Sequence, residues 1–236
     1  SRKGSEENLS WLESQKSYSL EFLNINICDK ESIEQVFREN SIDALIHLAG
    51  QVAVTESVVD PQKDFETNTI GTFNILEAIR KFSPETIMIN ASTNKVYGQL
   101  DHLNITPQHD RYQFESMSAG VSEEIPLDYH SPYGCSKGAA DQYVVDYARI
   151  YSLKTTTFRQ SCIYGPRQFG SEDQGWISWF IYAALSNKTI TIYGDGKQVR
   201  DILYIDDLIY AYDLAINKPN LIKGKAFNIG GGARHT

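Results

Sequence analysis

Two short stretches, residues 44–49 and 86–91, are apolar without alternation, and amphipathic helical patterns stand between and beside them. A strand that is apolar on both faces has to be covered on both, which is the situation of a parallel sheet with crossover helices. The same alternation continues along the chain. Leu20, Phe22, Leu23 and Ile25 read as a strand, and Asp29 as the N-cap of a helix whose stripe is Ile33, Val36 and Phe37. Phe65, Asn68, Thr72, Ile75, Leu76 and Ile79 space a long helix that stops before Pro84. Ser131 and Pro132 open another, Ser as cap and Pro at the first helical position, with an apolar face through Ala140, Tyr143, Val144, Tyr147 and Ile150. Residues 155–159 form the strand after it. This βαβαβα order with short connections predicts an α/β fold: a doubly wound parallel sheet with helices on both faces.

Beyond residue 160 the regularity fades. Gly165-Pro166 and Gly194-Asp195-Gly196 punctuate the chain, helices are expected at 176–185 and 206–216, and an apolar run at 226–229 precedes three glycines. Residues 99–128 are long, polar and aromatic-bearing for a connection, and a loop of that length reads as a functional cover. A doubly wound sheet of the dinucleotide-binding kind opens with a strand, a Gly-rich turn and a helix. No such turn stands ahead of the first strand here, so the expectation is a Rossmann fold whose first strand and Gly-rich turn are missing from this sequence.

Composition narrows the classes. The 236 residues carry 22 Lys+Arg against 30 Asp+Glu, a net charge of −8, which argues against a nucleic-acid partner. With 41% hydrophobic residues the chain can bury a core and is not expected to be disordered. Cys28, Cys135 and Cys162 are odd in number and never spaced as Cys-x-x-Cys, which speaks for a reducing, cytoplasmic setting rather than a disulfide framework or a zinc site. His47, His102, His109, His130 and His235 show no metal-ligand spacing either, and no metal is expected. The longest apolar stretch, 44–54, is broken by His47 and Gln51 and is too short to span a bilayer, so no membrane partner is expected.

Chemistry concentrates at Tyr133-Gly134-Cys135-Ser136-Lys137. On a helix, the i, i+4 spacing puts the Tyr133 phenol and the Lys137 ammonium on one face. A phenol titrates near pH 10 and is a poor base at neutrality, but a neighbouring cation favours its ionised form. Thr93 ends the buried strand through Ala91 and Ser92, and ligand-handling groups of parallel sheets gather at carboxyl ends of strands. Thr93, Tyr133 and Lys137 therefore form a candidate catalytic set able to bind and deprotonate an alcohol. Two other polar features have plainer readings: His47 as a satisfied core histidine, and Asp206 with Asp207 as helix caps rather than metal ligands.

These residues also carry a resemblance. Thr93, Tyr133 and Lys137, with His47-Leu48-Ala49-Gly50, Asn68-Thr69-Ile70-Gly71-Thr72, Tyr164-Gly165-Pro166-Arg167 and Val199-Arg200-Asp201, resemble the extended short-chain dehydrogenase/reductase family that acts on nucleotide sugars. The match runs in order along nearly the whole chain. Residues 91–98, 130–142, Arg167-Gln168-Phe169 and Asp173-Gln174-Gly175-Trp176 resemble the members that invert C2 of a CDP-3,6-dideoxyhexose.

The resemblance implies NAD as cofactor, a nucleotide-sugar substrate and a homo-oligomer built on the two long helices. It implies that residues 1–159 are an N-terminally incomplete dinucleotide-binding domain to which 195–216 return, and that 160–194 and 217–236 belong to an incomplete substrate-binding domain. Tyr133 would be the base, Lys137 would support it and reach the nicotinamide ribose, and Thr93 would hold the sugar hydroxyl. Asn26, Ile27, Leu48, Ala49, Gln51 and Asn68 would join them in contacting the cofactor, Asn26 standing where the family usually has Asp. Arg2 would flank the adenosine end. Cys162, Trp176, Tyr193 and Arg200 would contact the substrate, Arg200 as the pyrophosphate cation; Cys162 occupies a position that is often Asn. Dehydratases of the family carry Asp-Glu directly after the catalytic Thr, where this chain has Asn94 and Lys95. The implied activity is thus a 2-epimerase, with a 4-epimerase, a 4,6-dehydratase or a non-catalytic NAD-binding relative as alternatives.

Overall fold

The computed structural model describes residues 4–117, 120–172 and 174–232; Arg2, Asp173 and His235 lie outside the described residues. In chain order the elements are α1 (Ser5–Ser14), α2 (Lys30–Glu39), β1 (Ala44–His47), α3 (Val54–Val59) and α4 (Pro61–Phe65). A π-helical turn (Glu66–Ile70) runs into α5 (Gly71–Phe82), followed by β2 (Ile87–Thr93) and a 3₁₀ turn (Asn94–Tyr97). Next come β3 (Ile105–Pro107), β4 (Tyr112–Phe114), α6 (Ser131–Tyr151), β5 (Lys154–Gln160) and β6 (Cys162–Tyr164). The last are α7 (Trp176–Leu185), β7 (Ile202–Tyr204), α8 (Ile205–Asn217), α9 (Pro219–Ile222) and β8 (Ala226–Ile229).

The main sheet has the order β1-β2-β5-β8, every pair parallel. Side chains alternate across a strand, and β2 shows it: Met88 faces one core and Ile89 the other. On the first side Ile33 and Phe37 of α2, Leu76 and Ile79 of α5, and Val144 and Tyr147 of α6 close over Met88. On the second, Phe158 stacks on Tyr212 at 5.5 Å between ring centroids, with Leu203, Leu208 and Ala215 around them. Helices therefore cover both faces, as the apolar runs demanded. Burying a side chain such as Leu76 or Ile79 contributes about 1.5–3 kcal/mol. Asp29 caps α2 as expected, its carboxylate accepting from the Glu31 and Ser32 amides at 3.1 and 3.3 Å.

Four expectations are corrected. Residues 20–25 form no strand: among the described residues no strand pairs with them, and Leu20, Phe22 and Leu23 are exposed. The 44–49 run is not buried on both faces, because β1 lies at the edge of the sheet and Ile46 and Leu48 face outward. Residues 226–229, assigned to the substrate-binding part, instead pair with β5 as the fourth strand of the main sheet. Asp206 and Asp207 do not cap α8; they lie in its first turn behind Tyr204, where their charge still suits the helix dipole.

Candidate active site at the carboxyl end of the sheet

The seven-residue pairing of β2 with β5 carries Thr93 to the carboxyl end of the sheet, opposite Gln160. There Thr93 caps the 3₁₀ turn: its Oγ1 accepts from the Lys95 amide at 3.2 Å, which holds the hydroxyl in one orientation. Helix α6 starts beside it. His130, not Ser131 as expected, stands at the N-cap; Ser131 is the first residue of the helix, and its hydroxyl accepts from the Gly134 amide at 3.3 Å. Gly138 lets α6 approach the Tyr129 ring; a Cβ there would stand 2.3 Å from a ring carbon. Tyr133 and Lys137 are both buried on this helix. Lys137 Nζ donates to the carbonyl of Ala91, two residues before Thr93, at 2.6 Å. The helix and the strand that carry the expected catalytic set are thus tied by the lysine itself. Burial pushes the Lys137 ammonium down to about 8, against the opposing pull of Asp141 and Asp64.

The π-helical turn shapes the next layer, as such turns commonly do at functional sites. Asn68, buried within it, accepts from the Gln51 amide at 2.9 Å and donates to the Asp64 carboxylate at 3.2 Å and to Ser136 Oγ at 3.0 Å. Ser136, between Tyr133 and Lys137 in sequence, donates in turn to Asp64, and Thr69 Oγ1 donates to the Ser136 carbonyl at 3.1 Å. The loop after β1 is therefore fastened to the catalytic helix through Asn68. Gly50 sits in the seam: a Cβ there would come within 2.9 Å of Asn68 Oδ1 and 3.8 Å of Lys137 Nζ. His47 is buried, pairs with Thr72 Oγ1 at 3.0 Å, and is held neutral by burial and by the Lys137 charge, with a pKa of about 3. It is a core histidine, not a base.

A second buried network lies behind α6. Asp141 and Arg159 form a bidentate pair at 2.9 and 3.1 Å, and Thr157 donates to the same carboxylate at 3.1 Å. Arg159 also donates to the Tyr97 hydroxyl at 2.9 Å, and Tyr97 donates to Asn228 of β8 at 2.7 Å. Asn228 then holds residues 121 and 123 of the long loop, through the Val121 carbonyl and the Glu123 carboxylate. The other part of that loop is the β3–β4 hairpin, whose Tyr112 bonds Asp195 at 2.7 Å and the Lys197 carbonyl at 3.1 Å. The described parts of the loop are thus held at two places, at β8 and at the 195–197 turn. Asp64, Ser136, Asp141, Arg159 and Asn228 were not singled out in the sequence. Only Ser136, inside the Tyr-to-Lys motif, and the i, i+4 spacings Asp64–Asn68 and Lys137–Asp141 could have pointed to them.

The remaining expected residues are spread around this centre. Asn26 is exposed and accepts from the Cys28 amide at 3.0 Å, while Ile27 packs against Gly71 and its carbonyl accepts from Asn74 at 3.1 Å. Leu48 and Ala49 are exposed at the end of β1. Cys162 is half-buried on β6, and Trp176 opens α7 against Phe180. Tyr193 and Arg200 are exposed, the latter bonded to its neighbour's carbonyl, that of Val199. Among the described residues no His, Cys, Asp or Glu cluster could hold a metal ion, and no helix is long and apolar enough to cross a membrane.

The residues present fit the nicotinamide end of NAD. Leu48 and Ala49 are exposed at the end of β1, and Gly50 directly after them brings that loop against Asn68 and near the buried Lys137. Comparison with known proteins agrees. Residues 1–230 match the NAD dependent epimerase/dehydratase family. The chain is 47% identical to CDP-paratose 2-epimerase of Salmonella typhi, an alignment covering 98% of this chain and 69% of that protein. A UDP-glucose 4-epimerase of Thermus thermophilus, solved in complex with NAD, is 32% identical with a TM-score of 0.74, covering 89% of this chain and 63% of that one. A dTDP-glucose 4,6-dehydratase from Streptomyces venezuelae, solved with NAD bound, is 28% identical with a TM-score of 0.77 over 96% of this chain and 62% of that one. The chain thus spans less than two thirds of the length of these solved relatives. NAD is the cofactor, and the chain belongs to the NAD dependent epimerase/dehydratase family.

Proposed function

We propose that the full-length protein is a nucleotide-sugar epimerase that interconverts CDP-paratose and CDP-tyvelose by transient oxidation at C2 of the CDP-3,6-dideoxyhexose. The observation that carries this reading is the bond that ties Lys137 to the strand ending at Thr93, with Tyr133 one helical turn before Lys137 and with Asn94 and Lys95, both exposed, directly after Thr93. Eliminating water from a ketosugar needs an acid for the departing hydroxyl and a base for the carbon-bound proton. Asn has no such proton, and an exposed Lys is too weak an acid to serve. Inversion by redox at one carbon needs neither. The 47% identity to a CDP-paratose 2-epimerase supports the same substrate class.

In this reading the sugar hydroxyl lies between Thr93 Oγ1 and the Tyr133 phenol. Tyr133 takes the hydroxyl proton as the C2–H bond breaks and gives it back when that bond re-forms on the other face. Bound NAD supplies the acceptor and then the donor of the hydride, so no net redox occurs. Lys137, as a cation, favours the Tyr133 phenolate. Asn68 and Gln51 hold the loop on which the cofactor rests, and Asn26 and Ile27 flank its adenosine end. Arg200 and Tyr193 receive the nucleotide, and Cys162 and Trp176 the sugar. A homodimer through α5 and α6, where Tyr143 and Ile150 are exposed, is the assembly this reading implies, in a cytoplasmic setting.

Incubating the full-length enzyme with CDP-paratose and following C2 inversion by NMR tests the proposal. Appearance of CDP-tyvelose with no NADH released is expected. Inversion of UDP-glucose at C4 instead, or a 4-keto-6-deoxy product from dTDP- or CDP-glucose, would replace it.

A further inference from the structure

The Asp64 carboxylate lies behind the reacting pair and has no part in the chemistry above. It is fully buried at the C-terminal end of α4. Both of its oxygens are bonded to neutral donors, Oδ1 to the Asn68 amide at 3.2 Å and Oδ2 to the Ser136 hydroxyl. Those two donors reach in opposite directions: Ser136 belongs to the turn that runs from Tyr133 to Lys137, and Asn68 grips the Gln51 amide of the loop after β1. Asp141, the other acid near Lys137, is already engaged by Arg159 in a bidentate pair. Asp64 is therefore the less compensated anion of the two.

We propose that Asp64 is a positioning residue for Lys137: it clamps the Tyr133-to-Lys137 turn to the loop after β1, and its negative charge holds Lys137 in the ammonium form. The inference rests on the reading of Tyr133 and Lys137 as the reacting pair. Asp141 from its own helix and Asp64 from α4 both favour the Lys137 charge, Asp141 the more strongly, and His47 of β1 lies near enough to feel that charge. His47 is neutral, so the local balance is one buried cation, one anion shared with Arg159, and Asp64. Burial works against the charged form of both Lys137 and Asp64, and each offsets part of that cost for the other.

The test is Asp64→Asn in the full-length holoenzyme, a change that keeps the shape and removes the charge. Two readouts are taken: the titration of Lys137 Nζ by ¹⁵N NMR, assigned with Lys137→Met, and the alkaline limb of the kcat profile. Both midpoints are expected to fall together by about one pH unit, the effect of one lost opposite charge. Midpoints that stay in place in a folded variant overturn the proposal. A ¹³C titration of the Asp64 carboxyl in the unaltered protein provides an arm that needs no variant; it must be ionised at pH 7, and a protonated carboxyl overturns the proposal. Failure of the reaction itself is seen separately, as turnover surviving Tyr133→Phe, and leaves both NMR arms intact.

Discussion

Replacing Lys137 by Met removes a charge whose burial costs the fold stability. Between its ordinary value of 10.5 and the value of about 8 imposed by burial, the difference is worth about 3 kcal/mol. The folded-state value lies below the unfolded one, so between about pH 8 and 10.5 the unfolded chain binds more protons than the native one. Stability gained from Lys137 therefore rises with pH across that window and is absent below it. Relative to Lys137→Met, the wild-type protein should gain about 2 kcal/mol between roughly pH 7 and pH 9.5, because the variant cancels every other titrating group. At pH 7 the variant should be at least as stable as the wild type, although it loses the 2.6 Å bond to the Ala91 carbonyl, and it should turn over poorly. Urea denaturation of the two NAD-free proteins at a series of pH values measures this directly. Stability curves that run parallel from pH 7 to 9.5 would refute the claim that Lys137 is held desolvated against its charge.

Tyr133→Phe should lower turnover by about 10²–10⁴-fold or more while NAD affinity, measured by calorimetry, changes little. Arg159→Met leaves the Asp141 carboxylate buried without its partner and should cost about 3–5 kcal/mol, read as a fall in Tm of roughly 6–20 °C; adding Asp141→Leu should restore part of it. Arg200→Gln should raise KM for the nucleotide sugar by about 10–100-fold, the worth of one charge-assisted hydrogen bond, and a KM that does not move removes Arg200 from the substrate.

The catalytic set was legible because its parts are close in sequence or are placed by strand logic. Tyr133 and Lys137 are one helical turn apart, and Thr93 follows a recognisable buried strand. Its support was not. Asp64 reaches Ser136 across 72 positions, and Arg159 reaches Tyr97 across 62, so these contacts leave no local pattern, and the i, i+4 pair Asp64–Asn68 is only a faint one. Residues 99–128 read as a long functional loop, whereas the contacts of its described parts with Asn228 and Asp195 left no trace in the sequence.

Local pattern alone determined the parallel α/β architecture, the helix start at Asp29 and the single helical face shared by the phenol and the ammonium, since 3.6-residue and two-residue periods are properties of the chain itself. Tertiary structure decided three other things. It placed β8 beside β5, left residues 20–25 without a ladder, and made Lys137 a buried cation between two acids. Each depends on what stands next to a residue in space. Strand pairing and desolvation are set by those neighbours, and periodicity carries no record of them.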